Sequence, residues 1–445
     1  MRGPHRRLLE EMAGPGAVVS GESPPVVAPS STEDVGRILE RASREGWRVL
    51  PAGLATWLGT GATGEVDLVL STRKLDGLTS YEPADLTFTA GAGIPMSHLR
   101  RATSGEGQWL PLDPPGSERG SLGALASLGT AGPLGHAYGA PRDHVLGLTL
   151  VTGDGRVLKW GGRVVKNVAG FDVTRLSVGS RGALGVITSV SARLFPLPDR
   201  DVTVLLSGYP EGESAHLARS LAAAPLPLAA VELVDPLPGL RDLPDLPRGG
   251  AVVVRILGSK ARVEGVEAKL AHEIRALGRG EASAEPGGES KRLTDVRSRA
   301  LHAGLGRWEE GAALVLRLAL LPSRLPQLVA RARGVMEELG EGRLSAHAGA
   351  GVVRLALGRV SGEEGERRGG ETGRWAGVLG RLRQELEEEG GSLVLSSGPR
   401  ALVREVGAWG ARPGEGRLLE GLKRTFDPEG VLAPGLSGSG EGGRG

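Results

Sequence analysis

The chain has no cysteine in 445 residues. That absence excludes disulfides, thiolate-ligated iron–sulfur clusters, Cys-based zinc sites and cysteine nucleophiles. Charge of one sign is also lacking: 54 Lys and Arg stand against 52 Asp and Glu, a net charge of +2, which gives no electrostatic case for nucleic acid. Long apolar runs are missing too. The stretch "ALVLRLALLP" at 313–322 is short and interrupted by Arg317, so no membrane span is expected. The opening "MRGPHRRLLEEMAGPG" sets Glu10 and Glu11 where an export signal needs an apolar core, which makes the expected location cytoplasmic. No Gly-Lys pair, no G-x-S-x-G and no H-E-x-x-H occurs, leaving P-loop, nucleophile-elbow and zincin chemistry without a motif. His136 and His144 lie eight apart around a glycine-rich turn, a weak basis for ligation, and no metal site is expected.

What is present in excess is glycine. Within 161–190, "GGRVVKNVAGFDVTRLSVGSRGALGVITSV", glycines stand at 161, 162, 170, 179, 182 and 185. Inside an element each weakens it by roughly 0.5–1 kcal/mol relative to alanine. Such clustering needs tight packing, turns with positive φ, or a ligand that the backbone approaches through its N–H groups. Two more glycine-rich regions, "PAGLATWLG" and "PPGSERGSLGALASLGTAGPLGHAYGAPRDHVLG", precede it. Three such regions separated by ordinary elements fit a long anionic ligand better than a small substrate. "GTGATG" at 59–64 spells G-x-G-x-x-G, but a strand-like "EVDLVLS" follows it where the dinucleotide fingerprint requires a helix.

The pattern along the chain predicts an α+β protein. "VVAPSSTEDVGRILERASREGWRVLPAG" reads as strand, helix and strand, with Ser31 or Thr32 as cap and Val35, Ile38, Leu39 and Ala42 at helical spacing. "VDLVLS" and "DLTFTAG" read as strands, "PMSHLRRA" and "SLGALASLG" as helices, and "VLGLTLVTGDGRVLKWG" as a hairpin. Beyond about residue 200 two rounds of strand and helix predict paired α+β units with antiparallel sheets. The expected division is an N-terminal extension (1–17), a first domain (18–198), a second (199–435) and a disordered tail (436–445). Residues 359–374 read as a mobile insertion, followed by a helix from Trp375 to Glu389.

The three glycine regions, in this order, resemble the FAD-binding domain of the vanillyl-alcohol oxidase, or PCMH, type over about residues 18–198. Within that superfamily, "LPLDPPG" and "YGAPRDHVLGLTLVTGDGRVLKWGGRVVKNVAGFDVTRLSVGSRGALGVIT" look most like the FAD-binding subunits of bacterial glycolate oxidases. "LKRTFDPEGVLAPG" resembles the superfamily's C-terminal segment, with Ala433 in place of the usual Asn. The resemblance implies FAD as cofactor and a cap domain of antiparallel sheets after it; His136 is the only histidine inside a loop expected to face the flavin, and no covalent link is expected. It also implies that Gly53, Thr56 and Gly59 form the pyrophosphate loop, with Leu54 and Ala55 where the family often carries glycine. Pro115, Gly116, Ser121, Gly123, Gly132 and Gly139 form the second loop, braced by Arg142 and Asp143. Gly185, Val186 and Ile187 form the last wall through their backbone.

The cap departs from its relatives. Catalytic 2-hydroxy-acid dehydrogenases of this superfamily carry His-x-Gly-Asp-Gly-Asn-x-His; "HAGAGVVR" keeps His347, Gly349 and Gly351 but has Ala350, Val352 and Arg354 where Asp, Asn and the second His belong. His347 then reads as a turn residue, and no catalytic residue is assigned. The resemblance implies an FAD-binding subunit of a glycolate oxidase complex beside a second, catalytic flavoprotein subunit and an iron–sulfur subunit, with any link to the membrane's inner face made through that complex. Two alternatives stay open: a self-sufficient FAD-dependent 2-hydroxy-acid dehydrogenase using Arg354 for the carboxylate, and a scaffold that has lost FAD.

Overall fold

The computed structural model describes residues 6–20, 24–56, 65–162, 172–277, 288–358, 369–410 and 416–434. "GTGATG" with Gly59, residues 163–171, most of the segment 359–374 and the tail from 435 lie outside the described residues. The chain forms two compact units: residues 1–131, 140–197 and 411–445 make the first, residues 132–139 and 198–410 the second.

The first unit holds β1 (Val18–Ser20), β2 (Val26–Val27), β3 (Val49–Ala52), β4 (Leu68–Ser71), β5 (Leu78–Glu82), β6 (Thr87–Gly91), β7 (Gln108–Trp109), β8 (Val145–Val151), β9 (Val157–Gly161), β10 (Val186–Arg193) and β11 (Phe195–Pro196). A four-stranded sheet runs β1-β2-β4-β3, and a five-stranded one β5-β6-β10-β8-β9. In the first sheet β2 and β3 are both parallel to β4, which lies between them. The intervening helix Thr32–Glu45 begins where the Ser31 hydroxyl accepts from the Asp34 N–H and ends at left-handed Gly46. Its apolar stripe, Val35, Ile38, Leu39 and Ala42, is fully buried with Leu68 and Leu70 of the sheet. The N-terminal helix Arg6–Ala13 adds Leu9 to that core. In the five-stranded sheet every pairing is antiparallel, and one core gathers Phe88, Leu148, Leu150 and Val190 with Leu122 and Leu125 of the helix Leu122–Leu128.

The second unit contains β12 (Arg200–Ser207), β13 (Ala230–Asp235), β14 (Ala251–Gly258), β15 (Glu289–Thr294), β16 (Leu314–Ala319), β17 (Gly342–His347), β18 (Val352–Leu357) and β19 (Ser392–Ser397). They form one antiparallel sheet in the order β15-β12-β14-β13-β17-β18-β16-β19. Chain order resolves this into two βαββαβ repeats. Helices Glu211–Ala223 and Lys260–Leu277 belong to the first, Leu325–Leu339 and Gly369–Glu388 to the second. The repeats meet where their second strands pair, with Glu232 opposite His347. Alternation along the strands sends Val202, Val252, Val254, Leu316, Leu344 and Leu355 into a common core with the helices. The other face carries Asp201, Thr203, Glu232, Arg255, Arg317, Ser345, His347 and Arg354, all at the alternate positions.

Candidate cofactor site

The first two glycine loops come together. Gly53, just past β3, lies so close to Ser121 that a Cβ on it would overlap the Ser121 hydroxyl and stand 3.3 Å from Ala124 Cβ. That hydroxyl is occupied, accepting from the Ala124 N–H at 3.3 Å as the cap of the helix Leu122–Leu128, while the Gly53 carbonyl accepts from Ser71 Oγ at 2.8 Å. Gly123 faces Ala92 with similar closeness and donates its N–H to the Ala92 carbonyl at 2.8 Å. Gly116 and Ala55 both adopt left-handed backbones, φ 77° and 63°. Pro115 and Gly116 are half-buried and Thr56 is exposed. A surface made of peptide groups with no room for side chains fits an anionic dinucleotide, whose phosphates take N–H donors.

The other candidates are placed differently. Gly132 and Gly139 fall in the second unit. Arg142 is exposed on the short helix Pro141–His144, where Asp143 receives the Ala140 N–H at 2.8 Å. Gly185 has a packing reason of its own: a Cβ there would meet Leu150 Cγ at 2.6 Å and the Val151 carbonyl at 2.7 Å, both on β8. Val186 and Ile187 are buried and pair with Val151 and Leu150. A branched residue at 185 would therefore split the β8–β10 ladder, so its loss of flavin would not report on the cofactor alone.

The C-terminal segment completes this unit. Val49 donates to Val431 O at 2.8 Å and Ala433 donates back to Val49 O at 2.9 Å. Asp427 takes the N–H groups of Val431 and Leu432 at 2.8 and 2.9 Å. Lys423 reaches the carbonyls of Ala183 and Leu432 at 2.9 and 2.8 Å, tying the glycine turn before β10 to this segment. Ala433 itself is left-handed, φ 49°. An L-residue pays roughly 1–2 kcal/mol for that conformation, and Asn tolerates it better through local hydrogen bonds. Ala433→Asn is therefore expected to raise stability by up to about 1 kcal/mol, read as a higher thermal midpoint; an unchanged or lower midpoint would refute strain at this residue.

In the second unit, "HAGAGVVR" is the β17–β18 hairpin. Gly351 is left-handed, φ 64°, and a Cβ on Gly349 would overlap the His136 imidazole, so the surviving glycines are explained by the turn and its packing. His347 is not a turn residue. It closes β17, is 8% exposed, and has Nδ1 2.5 Å from Glu232 Oε2 on the neighbouring strand. Arg354 is equally buried, with its guanidinium forked onto Glu309: Nη2 to Oε2 is 2.8 Å and Nε faces Oε1. Sequence spacing could not show either carboxylate, because Glu232 is 115 residues upstream in chain order and meets His347 only through strand pairing.

A split α+β architecture with peptide-lined loops at the strand ends of its first unit defines the class: an FAD-dependent oxidoreductase of the PCMH-type fold. The chain belongs to the FAD-linked oxidases, matching the FAD binding domain over residues 24–161 and the FAD linked oxidases, C-terminal domain, over 199–436. It is similar to the glycolate oxidase subunit GlcE of Escherichia coli (strain K12), 41% identical over 143 residues, 32% of this chain and 40% of that subunit's length. The alignment thus spans well under two thirds of that relative. It is also similar to the D-lactate dehydrogenase of Archaeoglobus fulgidus, 29% identical over 428 residues, 92% of this chain and 90% of that enzyme. The structure of p-cresol methylhydroxylase with substrate bound superposes with a TM-score of 0.73 at 14% identity, covering 97% of this chain and 96% of that one, which speaks for the fold alone. Among the described residues no helix is long and apolar enough to cross a membrane.

Proposed function

We propose that the chain is the FAD-binding subunit of a complex that oxidises glycolate, or a close 2-hydroxy acid, to the 2-oxo acid. The expected cofactor domain, 18–198, would hold the cofactor together with the C-terminal segment from 411, and the remainder of the expected 199–435 cap would form the second unit. Gly53, Thr56, Gly59, Pro115, Gly116, Ser121, Gly123, Gly132, Gly139 and Arg142 would cradle FAD, with the peptide groups of Gly185, Val186 and Ile187 along it. FAD, when bound, supplies the two-electron acceptor; the chain's part is to bind and orient it. With no cysteine anywhere in the chain, an iron–sulfur subunit would carry electrons onward, and a second flavoprotein subunit would perform the oxidation.

One observation carries this reading. In the β17–β18 hairpin Ala350 and Val352 offer no polar side chain where Asp and Asn would stand, and Arg354 is already engaged by Glu309. Abstracting a proton from a 2-hydroxy acid takes a positioned base and a stabiliser of developing charge, each worth on the order of 10²-fold or more in rate. The likeness to GlcE supports the subunit assignment. The second reading, a self-sufficient dehydrogenase, draws on the end-to-end likeness to D-lactate dehydrogenase and on the buried His347–Glu232 pair.

Anaerobic mixing with excess glycolate or D-lactate, followed at the flavin band, separates them. The isolated chain is expected to keep its flavin oxidised, and to support turnover only beside a catalytic flavoprotein and an iron–sulfur chain. Rapid bleaching by the chain alone, abolished by His347→Gln, would install the self-sufficient enzyme.

A further inference from the structure

On the face of the second unit's sheet opposite its main core, Arg317 is a cation with no counter-charge paired to it among the described residues. Arg317 on β16 is the direct cross-strand neighbour of Arg354 on β18, which in turn faces Ser345 on β17. The three side chains form a row across adjacent strands, on the face opposite the apolar core. Directly opposed like charges repel, and the arrangement persists only where something compensates. Glu309 compensates Arg354 through both of its carboxylate oxygens. Further along the same face, His347 Nδ1 lies 2.5 Å from Glu232 Oε2. Among the described residues Arg317 makes no ion pair or hydrogen bond, although it is half-buried. Burial first, and Arg354 second, push its guanidinium below the ordinary arginine value, yet arginine stays charged throughout the physiological range. A partly desolvated charge without a partner is costly.

The geometry points to Arg317, beside the Glu309-engaged Arg354, as the anchor of a binding site for a small carboxylate anion. A planar guanidinium matches a carboxylate in a two-point fork. Restricting the anion to a carboxylate rests on the 2-hydroxy-acid reading above; the surplus positive charge does not. The site would let the subunit hold a substrate or product carboxylate without carrying a base to deprotonate it.

The probe is glycolate, titrated calorimetrically into the flavin-loaded chain at fixed ionic strength, with acetate, phosphate and chloride in parallel. Glycolate and acetate are expected to bind saturably. Arg317→Gln should weaken them about tenfold or more, the scale of one charge-assisted fork, and leave the flavin content unchanged. The same variant should raise the thermal midpoint of the anion-free protein, since it removes an uncompensated charge; a purely structural arginine would lower it on replacement. Glu309→Gln, which releases Arg354, should tighten binding. A lowered anion-free midpoint in Arg317→Gln, or phosphate binding as well as glycolate, would overturn the assignment. A chain that confers glycolate oxidation on a reconstituted complex but binds no carboxylate sinks this site and leaves the subunit reading intact. Saturable binding by a chain that confers no activity does the reverse.

Discussion

Gly53→Val is expected to yield a folded protein with less than about a tenth of the wild-type flavin content. The reason lies in the contact between the first two glycine loops. A Cβ at 53 overlaps the Ser121 hydroxyl, and that hydroxyl already caps the helix Leu122–Leu128. Valine adds two methyl groups and restricts χ1, so relief requires the loops to part. Parting them misaligns peptide N–H groups on both sides of the proposed phosphate site, and an electrostatic cradle depends on their common aim. Gly53 lies past the end of β3, outside helix and strand, so far-ultraviolet circular dichroism should be retained. Gly53→Ala, with a single methyl group, should fall between the two. Near-stoichiometric flavin in the valine variant, measured by absorbance after denaturation, would remove these loops from the cofactor site.

Asp201→Ala is expected to cost about 3–5 kcal/mol of stability, through a different mechanism. Asp201 on β12 is 3% exposed and receives both arms of Arg255 on β14, at 3.1 and 2.6 Å. It also accepts from Ser298 Oγ at 2.6 Å, and Ser298 continues to Thr203 at 2.7 Å and from there to His302 Nε2 at 3.0 Å. Removing the carboxylate strands the buried Arg255 charge and one end of this chain of hydrogen bonds. His302 cannot supply a counter-charge: burial, and then Arg255, disfavour its protonated form, which would in any case be a second cation. Chemical denaturation should show the transition of the second unit moving to markedly lower denaturant. The double replacement Asp201→Leu with Arg255→Met should regain most of the loss; if it unfolds as early as the single variant, the cost lies in packing and not in the stranded charge.

Much of the architecture was legible in the chain. Helix Thr32–Glu45 carries its cap, its stripe and its terminating glycine in plain order, and the hairpin around Gly153-Asp154-Gly155 joins β8 and β9 as its turn residues require. What escaped were β1, β5, β7, β10, β11, β15, β17 and β19. The sequence of β15, "ESKRLT", is mostly charged and polar, as an exposed edge strand is, and hydrophobic periodicity has little to register there. β17 was hidden because "HAGAGVVR" reads as a motif first and as a strand end second. The candidate cofactor loops were visible as glycine clusters, but spacing could not say which glycines answer to packing. Gly185 answers to β8 and Gly349 to His136, while Gly53 answers to a neighbouring loop. Non-local partners decide this: Glu232 and Arg317 are set by strand pairing, and Glu309, in the turn after the helix Val296–Leu305, meets Arg354 45 residues further along the chain.

The C-terminal segment carries a consequence for biosynthesis. Leu432 forms a parallel bridge to Val49, and Val431 and Leu432 belong to the same core as the first helix. A ribosome releases the N-terminal portion long before those residues exist, and domains generally fold as they emerge. Here the flavin-binding unit is discontinuous: its last side chains are translated after the whole second unit. The nascent unit must wait with the Val49 edge of its sheet unsealed, so cofactor capture belongs to the finished polypeptide, and premature termination anywhere in the cap leaves an unclosed flavin domain as its product.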